Sequence, residues 1–127
     1  MSNYLKIQKS FTTPEIEFNF EEGLFKIKGR SIPENAHELY GKLIEELKKY
    51  FEDPQAVSRL DIFFEYVNSI SVRYIQEIIK LFAFNHEKGK TISQINWYYE
   101  EDDESMKELG FFFKNTFNVS FNIIEII

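Results

Sequence analysis

Between Arg59 and Ile79 the hydrophobic period changes, and the change marks a strand running into a helix. Leu60, Ile62, Phe64 and Tyr66 alternate with Asp61, Phe63, Glu65 and Val67, the two-residue period of a strand with one well-buried face. From Val72 onward Val72, Ile75, Ile78, Ile79 and Phe82 recur at steps of three and four, which is one stripe of an amphipathic helix. The junction is Asn68-Ser69-Ile70-Ser71. A helix that starts there gathers free backbone N–H groups and the positive end of its dipole beside small hydroxyl residues, a geometry that admits a phosphate. Read structurally, Asn68, Ser69 or Ser71 caps the helix. Capping does not exclude phosphorylation, which adds about −1.5 to −2 charges next to those donors.

The flanking segments follow the same two periods. Ile16, Phe18 and Phe20 alternate with Glu15, Glu17 and Asn19, and after Glu21-Glu22-Gly23 the run Leu24 to Lys28 alternates again, which predicts a hairpin. Residues 1–13 carry no clear period, and Pro14 disfavours a central strand position. Ser31 with Glu34 three residues later, and Pro33 between them, signal a helix start. Its stripe is Ala36, Leu39, Tyr40, Leu43, Ile44, Leu47 and Phe51, and Asp53-Pro54 ends it. Gly89 closes the second helix, and Lys90 to Tyr99 predicts another strand. The acids Glu100 to Glu104 open a third helix on Met106, Leu109, Gly110, Phe113 and Phe117, and Val119 to Ile127 predicts a final strand. The expectation is an α/β fold with a five-stranded mixed sheet: an N-terminal antiparallel hairpin, then strand and helix in alternation. Asp61 and Glu65 share one face of the best strand, so the three helices should lie mainly on the other.

Composition narrows the function. A chain of 127 residues suits one domain, taken as 1–127, with a full core. The absence of cysteine excludes disulfides and thiolate chemistry and is compatible with a reducing cytoplasm. A net charge of −6 argues against a nucleic-acid groove or an anionic-membrane surface, and no apolar run is long enough for a signal peptide or a membrane span. The expected location is cytoplasmic and the expected partners are proteins or small molecules. The aromatic residues, including 14 Phe and 7 Tyr, can fill a large core. The three consecutive phenylalanines Phe111, Phe112 and Phe113 cannot all face inward from one helix, so at least one is exposed or at a contact.

Catalytic chemistry finds little support. His37 and His86 sit on separate predicted helices, and His86 near a helix end reads as a dipole-compensating residue. No nucleophile elbow, glycine-rich phosphate loop or zinc motif is present, and the acidic run lacks the ligand spacing of a calcium loop. Asp61 and Glu65 would stand about 13 Å apart on an extended strand, too far to share a proton. No cofactor and no metal site is expected.

Four blocks carry a resemblance: Thr13-Pro14-Glu15-Ile16, Gly29 to Ala36, Tyr66 to Ser71, and Trp97 to Glu104. Together, and in this order over most of the chain, they resemble the SiaC-like small regulatory phosphoproteins of bacteria. The resemblance implies a non-enzymatic switch with a fold like the sulfate-transporter and anti-sigma-antagonist (STAS) domains. It implies three partners: a serine/threonine kinase with a histidine-kinase-type ATPase domain, a metal-dependent phosphatase, and a diguanylate cyclase that the unphosphorylated form binds and activates, so setting cyclic di-GMP and biofilm behaviour. The family pattern at the junction is Asn-Thr-Ser-Ser with threonine as acceptor. By position the role falls on Ser69, with Ser71 as second candidate, and Ile70 replaces the following serine. The partner-binding surface expected with it comprises Asn68, Ser69, Ile70, Ser71, Arg73 and Arg30. The rival readings are a constitutive scaffold of the same fold without phospho-regulation, and a small metal-dependent enzyme using the acids.

Overall fold

Successive strand-helix-strand units with right-handed crossovers, stepping always in one direction, lay every helix on the same side of a parallel sheet. The parallel strands here follow in sequence order, and the helices share one core with one face of the sheet. The computed structural model describes residues 3–127. Its elements are β1 (Tyr4–Ile7), β2 (Glu15–Asn19), β3 (Leu24–Ser31), α1 (Ala36–Tyr50), β4 (Val57–Val67), α2 (Ser69–Glu87), β5 (Ile92–Glu100), α3 (Glu104–Thr116) and β6 (Ser120–Ile126). The sheet has six strands in sequence order, β1 to β3 antiparallel and β3 to β6 parallel. The buried residues of the three helices join one cluster with alternate residues of the strands.

The predicted architecture therefore stands, with one strand added. Tyr4–Ile7 pairs with β2 through Leu5 opposite Phe18 and Ile7 opposite Ile16. Four residues with two half-buried apolar positions are too short for alternation to be read along the chain. The first helix also starts later than Ser31 and Glu34 predict. Its cap is Asn35, whose side chain accepts from the Glu38 amide at 3.0 Å and reaches back to the Glu38 carboxylate at 3.2 Å. Ser31 instead ends β3, fully buried.

A second difference lies in β4. The pairing with β3 shifts register between Gly29 and Arg30, so that Gly29 faces Phe64 while Arg30 faces Tyr66. The extra residue is Glu65, and beyond it the alternation slips by one. Tyr66, which the period places with Leu60, Ile62 and Phe64, comes out on the uncovered face and is 50% exposed, while Val67 packs on the core. Gly29 holds a φ of 124° at the break, a conformation side chains rarely adopt.

The uncovered face is polar and largely self-paired. Lys6 lies 3.8 Å from Glu17, Lys26 3.2 Å from Glu15, and Arg59 grips Asp61 at 2.9 and 3.0 Å. Asn96 donates to Asp61 at 2.8 Å and Asn122 to Asn96 at 3.0 Å. Between the sheet and the helices, Phe18 and Phe25 of the strands, Phe82 of α2 and Phe51 at the end of α1 pack edge to face at 5.0 to 5.4 Å. Of the three phenylalanines in α3, Phe113 is buried while Phe111 and Phe112 are exposed, as the helical period requires.

Gly110 lets α3 sit directly on Trp97, whose indole N–H donates to the Met106 carbonyl at 2.9 Å. A Cβ at Gly110 would lie 2.4 Å from Trp97 Cδ1 and 2.7 Å from Nε1. Gly110→Ala is therefore expected to destabilise the fold by about 1–3 kcal/mol or more through overpacking. Urea denaturation measures it, and an unchanged midpoint would contradict this packing.

Candidate functional site

In parallel sheets the carboxyl ends of the strands are where loops converge and function gathers. Here β3 ends at Ser31, β4 at Val67, and α2 starts directly at Ser69. Asn68 is the cap: its backbone is extended, its side-chain oxygen accepts from the Ser71 amide at 2.9 Å, and its carbonyl accepts from the Val72 amide at 3.0 Å. The Asn68 amide donates to the Ser31 carbonyl at 3.1 Å, tying the helix start to the end of β3. The amides of Ser69 and Ile70 belong to the first turn, which no helical carbonyl reaches.

The two candidate hydroxyls separate sharply. Ser69 is exposed at the first helical position, and Ile70 beside it is 54% exposed. Arg73 is exposed one turn along, four residues from Ser69 and so on the same side of the helix. Ser71 points the other way and is fully buried. Its hydroxyl donates to the Ser31 carbonyl at 3.2 Å and accepts from the Ser31 hydroxyl at 2.9 Å. The Ser31 proton is thereby committed, so the Tyr40 hydroxyl, 2.5 Å away, is the donor to Ser31. The result is a directed relay from Tyr40 through Ser31 and Ser71 to a backbone carbonyl, joining α1, β3 and α2. As second candidate for the phosphoacceptor, Ser71 is corrected: a kinase cannot reach a hydroxyl sealed in the core and already used in both directions.

Burial pushes the Tyr40 hydroxyl up from the ordinary value of 10 to about 12, against the opposing pull of its bonds to Ser31 and Ser71. Its ring stacks on Tyr74 with centroids 5.5 Å apart and planes 10° apart, and the Tyr74 hydroxyl lies 3.2 Å from His37 Nδ1.

Arg30 lies at the same end of the sheet, in the register break opposite Tyr66. Its guanidinium carbon is 4.8 Å from the Phe11 ring centroid and 5.7 Å from that of Tyr66. Phe11 and Tyr66 are the site residues that periodicity misses, since one lies in the aperiodic stretch and the other past the bulge. His86 lies in the last turn of α2, the helix end expected of it, and its Nδ1 also accepts from the Ser93 amide at 3.1 Å. The acidic run resolves into β5's end, a turn and the cap of α3, where Asp103 accepts from the Met106 amide at 3.1 Å. Among the described residues no group of three His, Cys, Asp or Glu could hold a metal ion, and no helix is long and apolar enough to cross a membrane.

Comparison with known proteins bears on the fold and the family. A family profile described as "SiaC family regulatory phosphoprotein" matches residues 7–126. The chain belongs to this family. An uncharacterized protein of Pseudomonas aeruginosa (strain UCBPP-PA14) is 29% identical over 119 residues, 94% of either chain. The crystal structure of apo-SiaC from Pseudomonas aeruginosa superposes with a TM-score of 0.87 at 29% identity, covering 98% of this chain and 99% of that one. SiaC in the complex of the diguanylate cyclase SiaD with its activator SiaC, from the same organism, gives a TM-score of 0.90 at 28% identity over 96% of this chain and 99% of that one.

Two measurements test this geometry. Ser71→Ala leaves the buried Ser31 hydroxyl proton without its acceptor and the Ser31 carbonyl with the Asn68 amide alone, and should lower stability by about 1–3 kcal/mol, whereas Ser69→Ala should leave urea unfolding nearly unchanged. Equal losses would contradict the assignment of one buried and one free hydroxyl. Tyr40 is held neutral with a folded value above the unfolded one, so its contribution is complete below pH 10 and lost as pH rises toward about 12. A loss of about 2–3 kcal/mol across that window is expected, and Tyr40→Phe should flatten it. An identical alkaline profile in the variant would refute the role given to this hydroxyl.

Proposed function

We propose that this chain is a phosphorylation-controlled protein-binding switch whose unphosphorylated form docks on and activates a diguanylate cyclase. The single observation that carries this is the exposed Ser69 hydroxyl at the first position of a helix whose cap is already supplied by Asn68. Because Asn68 holds the cap, Ser69 is not needed for the fold and is free to be modified. A phosphate there meets first-turn amides and the positive end of the dipole, so the helix is kept rather than melted. What changes is the surface. The dianion next to Ile70 has to be desolvated whenever a partner covers the helix start, and Arg73, four residues on, stands where it can engage the phosphate.

In this reading Ser69 is the phosphoacceptor, and Asn68, Ile70, Arg73 and Arg30 contribute to the docking surface, while Ser71 works from inside by fixing the helix start. A serine/threonine kinase with a histidine-kinase-type ATPase domain adds the phosphate and a metal-dependent phosphatase removes it. The protein acts in the cytoplasm as one domain, residues 1–127, and has no catalytic activity of its own. Three things support it: membership of a regulatory phosphoprotein family, the likeness to an activator seen with its cyclase, and the reachable hydroxyl.

The test compares Ser69→Ala with Ser69→Asp against the diguanylate cyclase of the same organism. Ser69→Ala should bind and activate, and Ser69→Asp should bind at least tenfold more weakly, about 1.4 kcal/mol. Mass spectrometry after kinase treatment should place the phosphate on Ser69. Equal binding by both variants, with no phosphate at Ser69, would end this reading.

A further inference from the structure

We infer that Arg30, gripped between Phe11 and Tyr66, is a receptor for a carboxylate of a docking protein, an Asp or Glu side chain presented at the carboxyl end of the sheet. Three unusual features converge on this one residue. The register break at Gly29 and Arg30 is what brings Tyr66 onto the uncovered face beside it. The Arg30 Nε is buried and has no hydrogen-bond partner, so no acceptor within the fold holds this end of the guanidinium, and an incoming carboxylate would meet the terminal Nη groups. The clamping rings are themselves exposed, Phe11 to 74% and Tyr66 to 50%, although each is large and apolar.

The clamp is held in place before any ligand arrives. The loop carrying Phe11 is tied to the end of β3 by the Ile32 amide donating to the Thr12 carbonyl at 2.9 Å. Within the loop the Ser10 hydroxyl accepts from the Thr12 and Thr13 amides at 3.2 and 2.9 Å. A guanidinium held against two rings loses freedom of orientation while its terminal N–H groups stay available, which suits the two oxygens of a carboxylate. Lysine could not do the same, being a point charge without a plane.

Charge complementarity decides the occupant. The protein carries −6 overall, yet Arg30 forms no ion pair among the described residues, while Lys6, Lys26 and Arg59 on the same sheet face are paired. The Lys9 side chain passes within 3.8 Å of where a Cβ on Gly29 would lie. A guanidinium without an ion pair, set against two exposed rings, fits an acidic residue set in an apolar protein surface: the rings cover the rim and the guanidinium takes the charge.

The inference rests on the docking reading above for the identity of the protein that brings the carboxylate, and the experiment separates the two. The first arm needs no partner. A blocked hexaglutamate peptide is titrated into the full chain while the Arg30 Nε–H signal and the Phe11 and Tyr66 ring signals are followed by NMR. A saturable shift confined to these three residues is expected, lost in Arg30→Met and at least fivefold weaker in Arg30→Lys. Shifts absent, or spread evenly over all lysines, would overturn the site, and saturation by inorganic phosphate but not by the peptide would overturn its assignment to a carboxylate. In the second arm the cyclase replaces the peptide. Arg30→Lys, Phe11→Leu and Tyr66→Leu should each weaken binding at least tenfold at unchanged thermal stability. Wild-type affinity in all three, with Ser69→Asp still released, would sink the inference and leave the switch standing, whereas peptide binding without any cyclase binding would do the reverse.

Discussion

The start of α2 is held by one buried chain of hydroxyls, and the functional surface depends on it. Tyr40 donates to Ser31, Ser31 to Ser71, and Ser71 back to the Ser31 carbonyl, so a residue of α1, the end of β3 and the first turn of α2 share one polar network inside an apolar core. Each hydroxyl has one proton and each proton has one acceptor. In low dielectric such a network is strong when complete and expensive when broken, which fixes the relative position of three elements more tightly than apolar packing alone. A related chain, Tyr50 to Ser58 to Thr91 to the Gln55 carbonyl, lies at the opposite end of the sheet, where β4 and β5 begin. The first adjoins the exposed Ser69 hydroxyl, and in the proposed reading it is the frame of the switch.

The frame explains why a regulatory group can be placed next to a core without disturbing it. Asn68 takes the capping role and Ser71 the anchoring role, which leaves Ser69 between them with neither. The fold's one-sided construction completes the picture. All three helices cover one face, polar side chains on the opposite face pair within and across strands, and Arg30 with its exposed rings lies at the sheet end where Tyr66 and the helix start meet. The register break contributes here too. Without the extra residue at Glu65, Tyr66 would point into the helices and Val67 out of them.

Local patterns carried most of the fold, because the features involved are local. The three- and four-residue period of α1 and α2, the switch of period at Asn68, and the geometric impossibility of burying Phe111, Phe112 and Phe113 together all lie within one helical turn or one strand. The family resemblance brought the hydroxyl at position 69 forward, and position alone could not separate it from Ser71, since burial of a side chain two residues away depends on what packs behind it. Four features were out of reach for the same kind of reason. β1 is four residues whose meaning appears only opposite β2. The bulge is a relation between β3 and β4 and leaves no mark in either strand's own pattern. Ser31 reads as a cap from its spacing to Glu34, whereas its true partners are 9 and 40 residues away. Phe11 sits in a stretch without period, and only the fold sets it against Arg30.

The central claim is that α2 begins from a rigid, internally bonded start, so that a phosphate on Ser69 alters what the surface can bind without unravelling the helix beneath. Amide hydrogen exchange on the phosphorylated and unphosphorylated protein reads this directly, at the Ser71 amide bonded to the Asn68 side chain and the Val72 amide bonded to the Asn68 carbonyl. The account predicts the same protection at both amides in the two forms. Loss of that protection on phosphorylation would mean that the switch works by melting the helix start, and would contradict it.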